Sequence, residues 1–338
     1  MATALYGALE SGLIYAIMAL GVYLSFRVLD FPDLTVDGSF VTGAAVSSVL
    51  IVNGGMSPVL AVVIGGVAGF LAGCITGLIH TKGKINPLLA GILMMIALYS
   101  INLRIMGRPN IPLFNQSTVF EPVVWLQWLN EALMTPFTWL GITDYAPKTF
   151  QIIITMFLVV VVMKKAIDWL LRTEMGLALR ATGDNDRMVK SLSANTDRYT
   201  IVGLGLSNGL VAISGGLIAQ YNGSSDAGMG IGIIIVGLAS VIIGEAIVGT
   251  QTVLKATLAA VIGAIVYRFI IALALRIDFL SASDMKLITA IIVIVALVLP
   301  STLERLKQSR SRYLKQKSLS RSQAREGRNS IATTKTDS

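Results

Sequence analysis

Charged residues that interrupt apolar runs are the groups in this chain best placed to do chemistry, because burying them is costly unless they serve a purpose. Leu29-Asp30-Phe31-Pro32-Asp33-Leu34-Thr35-Val36-Asp37-Gly38-Ser39 carries three carboxylates within eight residues. Pro32 and Gly38 disfavour a continuous helix there. Broken helices of this kind present backbone dipoles to a bound solute or ion, which makes Asp33 and Asp37 candidates for a translocation pathway. The competing reading is a turn in which Asp33 or Thr35 caps the helix that follows. Asp30 and Asp33 suit either reading, whereas Asp37 lies further into the apolar run and favours the pathway. Glu245, in Ile243-Gly244-Glu245-Ala246, and Arg268, in Val266-Tyr267-Arg268-Phe269, are the other buried-charge candidates. Each is expected to find a salt-bridge partner or to line that pathway.

Other chemistries find little support. His80 is the only histidine and stands beside Lys82 without clustered ligands, an interfacial residue rather than a catalyst or metal ligand. Cys74 is the only cysteine, so a disulfide framework and a thiol pair are excluded. There is no Gly-x-x-x-x-Gly-Lys-Ser/Thr loop to wrap phosphates, so the chain is expected to hydrolyse no ATP, to bind no cofactor or metal, and not to be an enzyme.

The elements that must position these charges are membrane helices. The chain has 338 residues, 54% of them hydrophobic and 14% charged, and a mean hydropathy of +0.74. The net charge of +8 resembles a nucleic-acid signal until it is located: residues 301–338 hold ten Lys/Arg against three Asp/Glu. That basic tail reads as a disordered cytoplasmic flank beside an anionic leaflet, with no nucleic-acid partner. Runs of the roughly 20 apolar residues needed to cross a bilayer fall at 4–26, 36–52, 58–79, 86–106, 149–171, 200–220, 229–248, 254–275 and 284–300. They predict an all-α, polytopic transmembrane bundle of about nine spans, with eight to ten admissible. Residues 1–26 lack a basic leader region and are expected to be a retained first span. The membrane domain then covers 1–300, with an outer loop at 107–148, a polar loop at 172–199 and the tail at 301–338.

A cytoplasmic C-terminus gathers Arg27, Lys82, Lys84, Lys164, Lys165, Arg172, Arg180, Arg187, Lys190, Arg198 and Lys255 on one side, as the positive-inside rule requires. Arg108, Lys148, Arg276 and Lys286 remain on the other, with Arg104 near that boundary. The outer loop carries Trp125, Trp128 and Trp139 and reads as an interfacial cap whose tryptophans anchor at headgroup level. Gly65, Gly69, Gly73 and Gly77 recur every fourth residue, a smooth stripe for close helix packing, within one subunit or across a dimer seam.

The polar loop is different in kind. After Gly183, Asp184 or Asn185 can cap a short helix over 184–195 that presents Met188, Val189 and Leu192 beside Arg187 and Lys190. A cytoplasmic helix with an apolar face needs a partner. Met175-Gly176-Leu-Ala-Leu-Arg180-Ala181-Thr-Gly183-Asp184-Asn185 resembles the Gly-x-x-x-Arg-Ala-x-Gly-x-Asn cytoplasmic motif of permeases from branched-chain amino-acid and ribose ABC importers. Ser214-Gly215-Gly216-Leu217-Ile218-Ala219, Leu238-Ala239-Ser240-Val241-Ile242-Ile243-Gly244 and Ile85-Asn86-Pro87 extend the likeness to Pro300. Phe31–Phe40 is most similar to the subgroup associated with tryptophan and tyrosine uptake. Glu245 departs from the family, which has a small residue there.

The resemblance implies a type II ABC importer permease in a bacterial plasma membrane, importing a small polar solute, an amino acid first. It makes 184–195 a coupling helix and places Gly176, Arg180, Ala181, Gly183, Asp184, Asn185, Arg187, Met188 and Leu192 at the junction with a cytoplasmic ABC ATPase that binds ATP and magnesium. It also implies a second permease copy, an identical one, and an extracytoplasmic substrate-binding protein. Two alternatives stay open: an ion-coupled secondary transporter using Asp37, Glu245 and Arg268, and an ABC permease for a sugar or nucleoside.

Overall fold

The computed structural model describes residues 2–121, 149–192 and 194–274, with residues 128, 130, 131, 135, 287, 290, 291 and 294 besides. The ninth expected span, the basic tail, Trp125 and Trp139 lie outside the described residues, except for four isolated positions within that span. Trp128 is exposed. The chain divides into residues 1–290 and 291–338, and every element below belongs to the first unit.

Eight of the nine expected spans are helices: α1 (Ala2–Tyr23), α2 (Thr35–Val52), α3 (Pro58–Thr81), α4 (Pro87–Met106), α5 (Gln151–Leu170), α7 (Thr196–Asn222), α8 (Ile233–Val248) and α9 (Val253–Ala274). Between α5 and α7 runs α6 (Glu174–Ser191). Six of these segments are long and apolar enough to cross a membrane. Local chemistry sets their ends. Ser57 and Asn86 cap α3 and α4, each followed by proline at the first helical position, where the missing N–H is no loss. Gly107 and Gly223 close α4 and α7 in the left-handed conformation. The last turn of α1 widens into a π turn over Leu24–Val28.

The centre of the bundle is α7, which packs on α3, α2 and α1. Its seam with α3 is made by the glycine stripe. A Cβ at Gly69 would stand 2.2 Å from the Ala212 Cβ, and one at Gly73 2.2 Å from the Leu204 carbonyl oxygen. Gly65 meets Gly43 of α2 and Gly77 meets Ile201 of α7, so the stripe serves packing within one chain. On the opposite face of α3, Val63, Val67, Leu71, Ile75 and Leu78 are exposed, as a lipid-facing surface requires.

Two departures from the sequence reading matter for the site. Residues Asn110–Pro112 (β1) and Ser224–Asp226 (β2) form a short antiparallel ladder, with Ile111 opposite Ser225. Next, α8 starts at Ile233 instead of 229, because Gly232 turns the chain with φ +87°. At 16 residues, α8 is about 24 Å long at 1.5 Å per residue, short of the roughly 30 Å hydrocarbon core. The run of turns leading into it passes down the side of α2, from Ala227 beside Ala45 to Gly230 against the Asp37 carbonyl. The helix is therefore a half-span beginning inside the bundle.

Candidate translocation site and coupling face

The start of α8 explains Asp37. Gly232 N–H and Ile234 N–H donate to the two Asp37 carboxylate oxygens at 2.9 and 2.8 Å, across 195 and 197 residues of sequence. The first turn of a helix leaves its N–H groups without internal partners and carries the positive end of the macrodipole. A carboxylate placed there satisfies both, which makes an acidic side chain tolerable far from water. Asp37 also borders a cavity of about 630 Å³ between α2, α4 and α8. Met95, Ile96, Tyr99, Ile231 and Ile235 make its apolar wall. Asn102 adds a second polar group: its Nδ2 donates to the Gly38 carbonyl at 3.1 Å, and its Oδ1 is buried without a partner among the described residues.

The other pathway candidates lie elsewhere. Asp33 is fully buried and does not line this cavity. Its Oδ1 accepts from Thr35 N–H at 2.9 Å and its Oδ2 from Asn208 Nδ2 at 2.6 Å, so it both caps the start of α2 and ties it to the middle of α7. Glu245 is held by Arg27 near the end of α8. Arg268 lays its guanidinium 3.7 Å over the Tyr15 ring, which stacks in turn on Phe40. Tyr221 donates to Glu10 at 2.9 Å nearby. Asp37 alone of the four candidates meets the cavity. His80 is structural: its Nδ1 contacts the Ile85 carbonyl at 2.7 Å and its ring meets Phe31 edge-on.

The polar loop folds as two helical pieces in place of one. α6 is broken at Asn185, whose φ of −155° and ψ of 86° lie outside the helical region. The Asn185 side chain then accepts from Met188 N–H at 3.0 Å and caps the second piece, which ends at Ser191, short of the expected 195. Met188 and Leu192 are exposed on it, but Val189 turns inward, so the outward apolar face is narrower than the sequence suggested. Asp184 and Arg187 are exposed and Ala181 is half-buried. Gly176 closes the turn after α5, where a Cβ would come 2.2 Å from the Leu170 carbonyl oxygen. Arg180 points inward, with its Nε buried and unpartnered among the described residues.

Beside this piece lies a second, polar cavity of about 510 Å³, bordered by Asp30, Lys84, Asn86, Gly183, Asp186 and Lys190 among others. Asp186 pairs with Lys190 at 2.6 Å, one helical turn on. Partial burial pushes the Asp186 carboxyl up, but hydrogen bonds from Lys190 and Thr196 and the charges of Lys190 and His80 outweigh it and hold the group below the ordinary aspartate value.

Sequence reasoning missed Asn208, Asn102 and Tyr99, and the Arg27 partner of Glu245. Asn208, between Ser207 and Gly209 in an apolar run, carries the signal that polar residues in spans usually do. The alternating glycines of Gly228-Met229-Gly230-Ile231-Gly232 could have marked the broken entry to α8.

Residues 5–298 match the family model described as the permease component of branched-chain amino acid transport systems. The chain belongs to that family. Two relatives extend the match over most of its length. The tyrosine transport system permease protein of Clostridioides difficile (strain R20291) is 41% identical over 286 residues, covering 85% of this chain and 88% of its own. An uncharacterized protein of Rickettsia prowazekii (strain Madrid E) is 35% identical over 294 residues, covering 86% and 95%. No solved structure matches this permease. As a member of the family the permease is a multi-pass membrane transport subunit, and the Asp37 cavity and the α6 face are its two candidate working surfaces.

Proposed function

We propose that this permease is the membrane subunit of an ATP-driven ABC importer that carries an aromatic amino acid, tyrosine first, across a bacterial plasma membrane. The observation that carries the substrate reading is the character of the Asp37 cavity. Besides the Tyr99 hydroxyl, its polar groups are the Asp37 carboxylate and the buried Asn102 Oδ1, which has no partner among the described residues; both accept hydrogen bonds, and most of the remaining wall is apolar. An ammonium group suits those acceptors, and an aromatic side chain suits Met95, Ile96 and Tyr99. The name of the 41% identical relative points the same way.

Energy enters at the other surface. The exposed Met188 and Leu192 offer an apolar contact beside the polar cleft, as a helix seated in a groove on a partner would. That partner is a cytoplasmic ABC ATPase, which binds the ATP and magnesium. Two ATPase sites related by two-fold symmetry call for two permease copies, here identical. An extracytoplasmic binding protein delivers the substrate, and the basic C-terminal tail lies in the cytoplasm. Gly176, Arg180, Ala181, Gly183, Asp184, Asn185 and Arg187 shape and anchor the docking face.

The test is reconstitution of the permease with the ATPase and binding protein encoded beside it. Tyrosine uptake that requires ATP, and that is lost in Met188→Asp and Leu192→Asp while the permease stays in the membrane, is the expected result. Uptake by the permease alone, driven by a proton or sodium gradient, would instead support an ion-coupled secondary transporter.

A further inference from the structure

The half-span α8 has a charged contact near each end, and the one at its far end lies outside the Asp37 cavity. At its start it donates two N–H groups to Asp37. Three residues before its end, Glu245 accepts from Arg27 Nε at 2.8 Å and from Arg27 Nη2, the two-pronged contact a guanidinium makes with a carboxylate. The Glu245 side chain is only 11% exposed, so without Arg27 it would be a largely desolvated charge with no compensating partner.

Arg27 belongs to the π turn that ends α1, where the Leu29 N–H reaches back five residues to the Leu24 carbonyl at 3.0 Å. Such turns are uncommon in helices and recur at functional positions. The coupling segment rests on the same turn. A Cβ at Gly183 would stand 2.2 Å from the Val28 carbonyl oxygen and 3.0 Å from the Leu29 Cα, so backbone lies against backbone there. Displacement of the coupling segment therefore meets the π turn first, then Arg27, then Glu245. At the other end of that rigid helix are the N–H groups that hold Asp37.

We propose that the Arg27–Glu245 pair is the positioning link that ties movement of the coupling segment to α8 and so to the Asp37 cavity. The link rests on the reading of the permease as ATP-driven. Neither residue touches the substrate; the pair keeps α8 in register with the π turn through the transport cycle. Losing it leaves the ATPase working and the cavity formed, but the two no longer act together.

The experiment compares uptake with ATP hydrolysis in the complete complex of permease, ATPase and binding protein. In Glu245→Gln and Arg27→Gln, hydrolysis is expected to stay close to the wild-type rate while substrate taken up per ATP falls by at least about fivefold, the scale of a coupling free energy near 1 kcal/mol. The double reversal Arg27→Glu with Glu245→Arg should recover most of that ratio. A ratio unchanged in the single variants, a parallel fall of uptake and hydrolysis, or no recovery on reversal overturns the link. A second arm does not depend on the reversed pair folding. Arg27→Cys and Glu245→Cys, in a Cys74→Ser background, are joined by a short reducible bifunctional thiol reagent. The ratio should rise on cross-linking and fall on reduction, whereas uptake blocked by the cross-link would mean that the two residues must separate. Failure of the ATP-driven reading would show earlier and separately, as wild-type permease whose uptake ignores ATP.

Discussion

The seam between α3 and α7 and the half-span α8 both hold a helix in lipid by close packing, but only the half-span adds charged groups at its ends. The seam uses no charge. Gly69, Gly73 and Gly77 remove side chains so that the helices touch, and attraction comes from many short contacts spread over several turns. The half-span also packs closely along α9, where a Cβ at Gly244 or at Gly263 would stand 1.8 Å from a carbonyl oxygen of the facing helix, and it adds polar contacts near its ends, Asp37 at the start and Arg27 at Glu245. Contacts spread along a seam leave no single bond whose loss lets the helices shift, whereas each polar contact at the tips of α8 can be removed by one substitution. The difference separates a rigid seam made by backbone contact alone from a helix whose position also depends on single charged groups.

Filling the seam should have the largest effect. Even a methyl group at Gly69 would overlap Ala212, and overpacking of this kind costs about 1–3 kcal/mol before any larger side chain is considered. Gly69→Leu is expected to abolish a monodisperse, membrane-inserted permease, read by size exclusion of the detergent-solubilised protein. A well-folded Gly69→Leu would remove the rigid half of the comparison.

The next test separates two carboxylates four residues apart. Asp33 ties the start of α2 to α7 behind the seam, and Asp37 belongs with the half-span. Asp33→Ala removes the cap of α2 and one partner of the buried Asn208 amide, a loss of roughly 1–3 kcal/mol. It should lower the thermal midpoint and reduce uptake only in proportion to the protein lost. Asp37→Asn keeps the shape but loses the charge at the helix start, worth about 1–2 kcal/mol in such partly buried sites. Its expected signature is a small change in midpoint with roughly tenfold slower uptake. Should the two variants exchange signatures, the pathway would lie at Asp33.

The bundle was legible in the sequence because lipid leaves a helix little freedom. Eight of the expected runs became helices with ends mostly within a few residues, and the α3 stripe announced its own packing. Asn185 was equally readable, since an Asn before a polar, amphipathic stretch has few other uses. What could not be read were partners distant in sequence. Nothing near Asp37 points to backbone groups at Gly232 and Ile234, and nothing near Glu245 points to Arg27, 218 residues earlier. The ladder of β1 with β2 is too short to leave a pattern of alternation. Val189 shows the limit even of local reading: its spacing put it with Met188 and Leu192, but the break at Asn185 turned it inward.

The coupling piece should give the smallest effect, because it is held less firmly than either region. Its ion pair, Asp186 with Lys190, leaves both side chains about half exposed, which limits its worth to roughly 0.3–0.5 kcal/mol. The sign of its pH dependence follows from the depressed Asp186 value. A carboxylate that ionises more readily in the folded chain than in the unfolded one stabilises fully above the ordinary aspartate value of about 3.9, and that contribution fades as the pH falls through the folded value. Wild type and Asp186→Asn should therefore differ slightly and constantly between about pH 5 and 8, and converge below about pH 4. Hydrogen exchange at the Met188 and Val189 amides reports the opening of this turn alone. A gap that widened in acid would mean that the Asp186 carboxyl is stabilised in its protonated form, and that the piece is pinned by something other than Lys190.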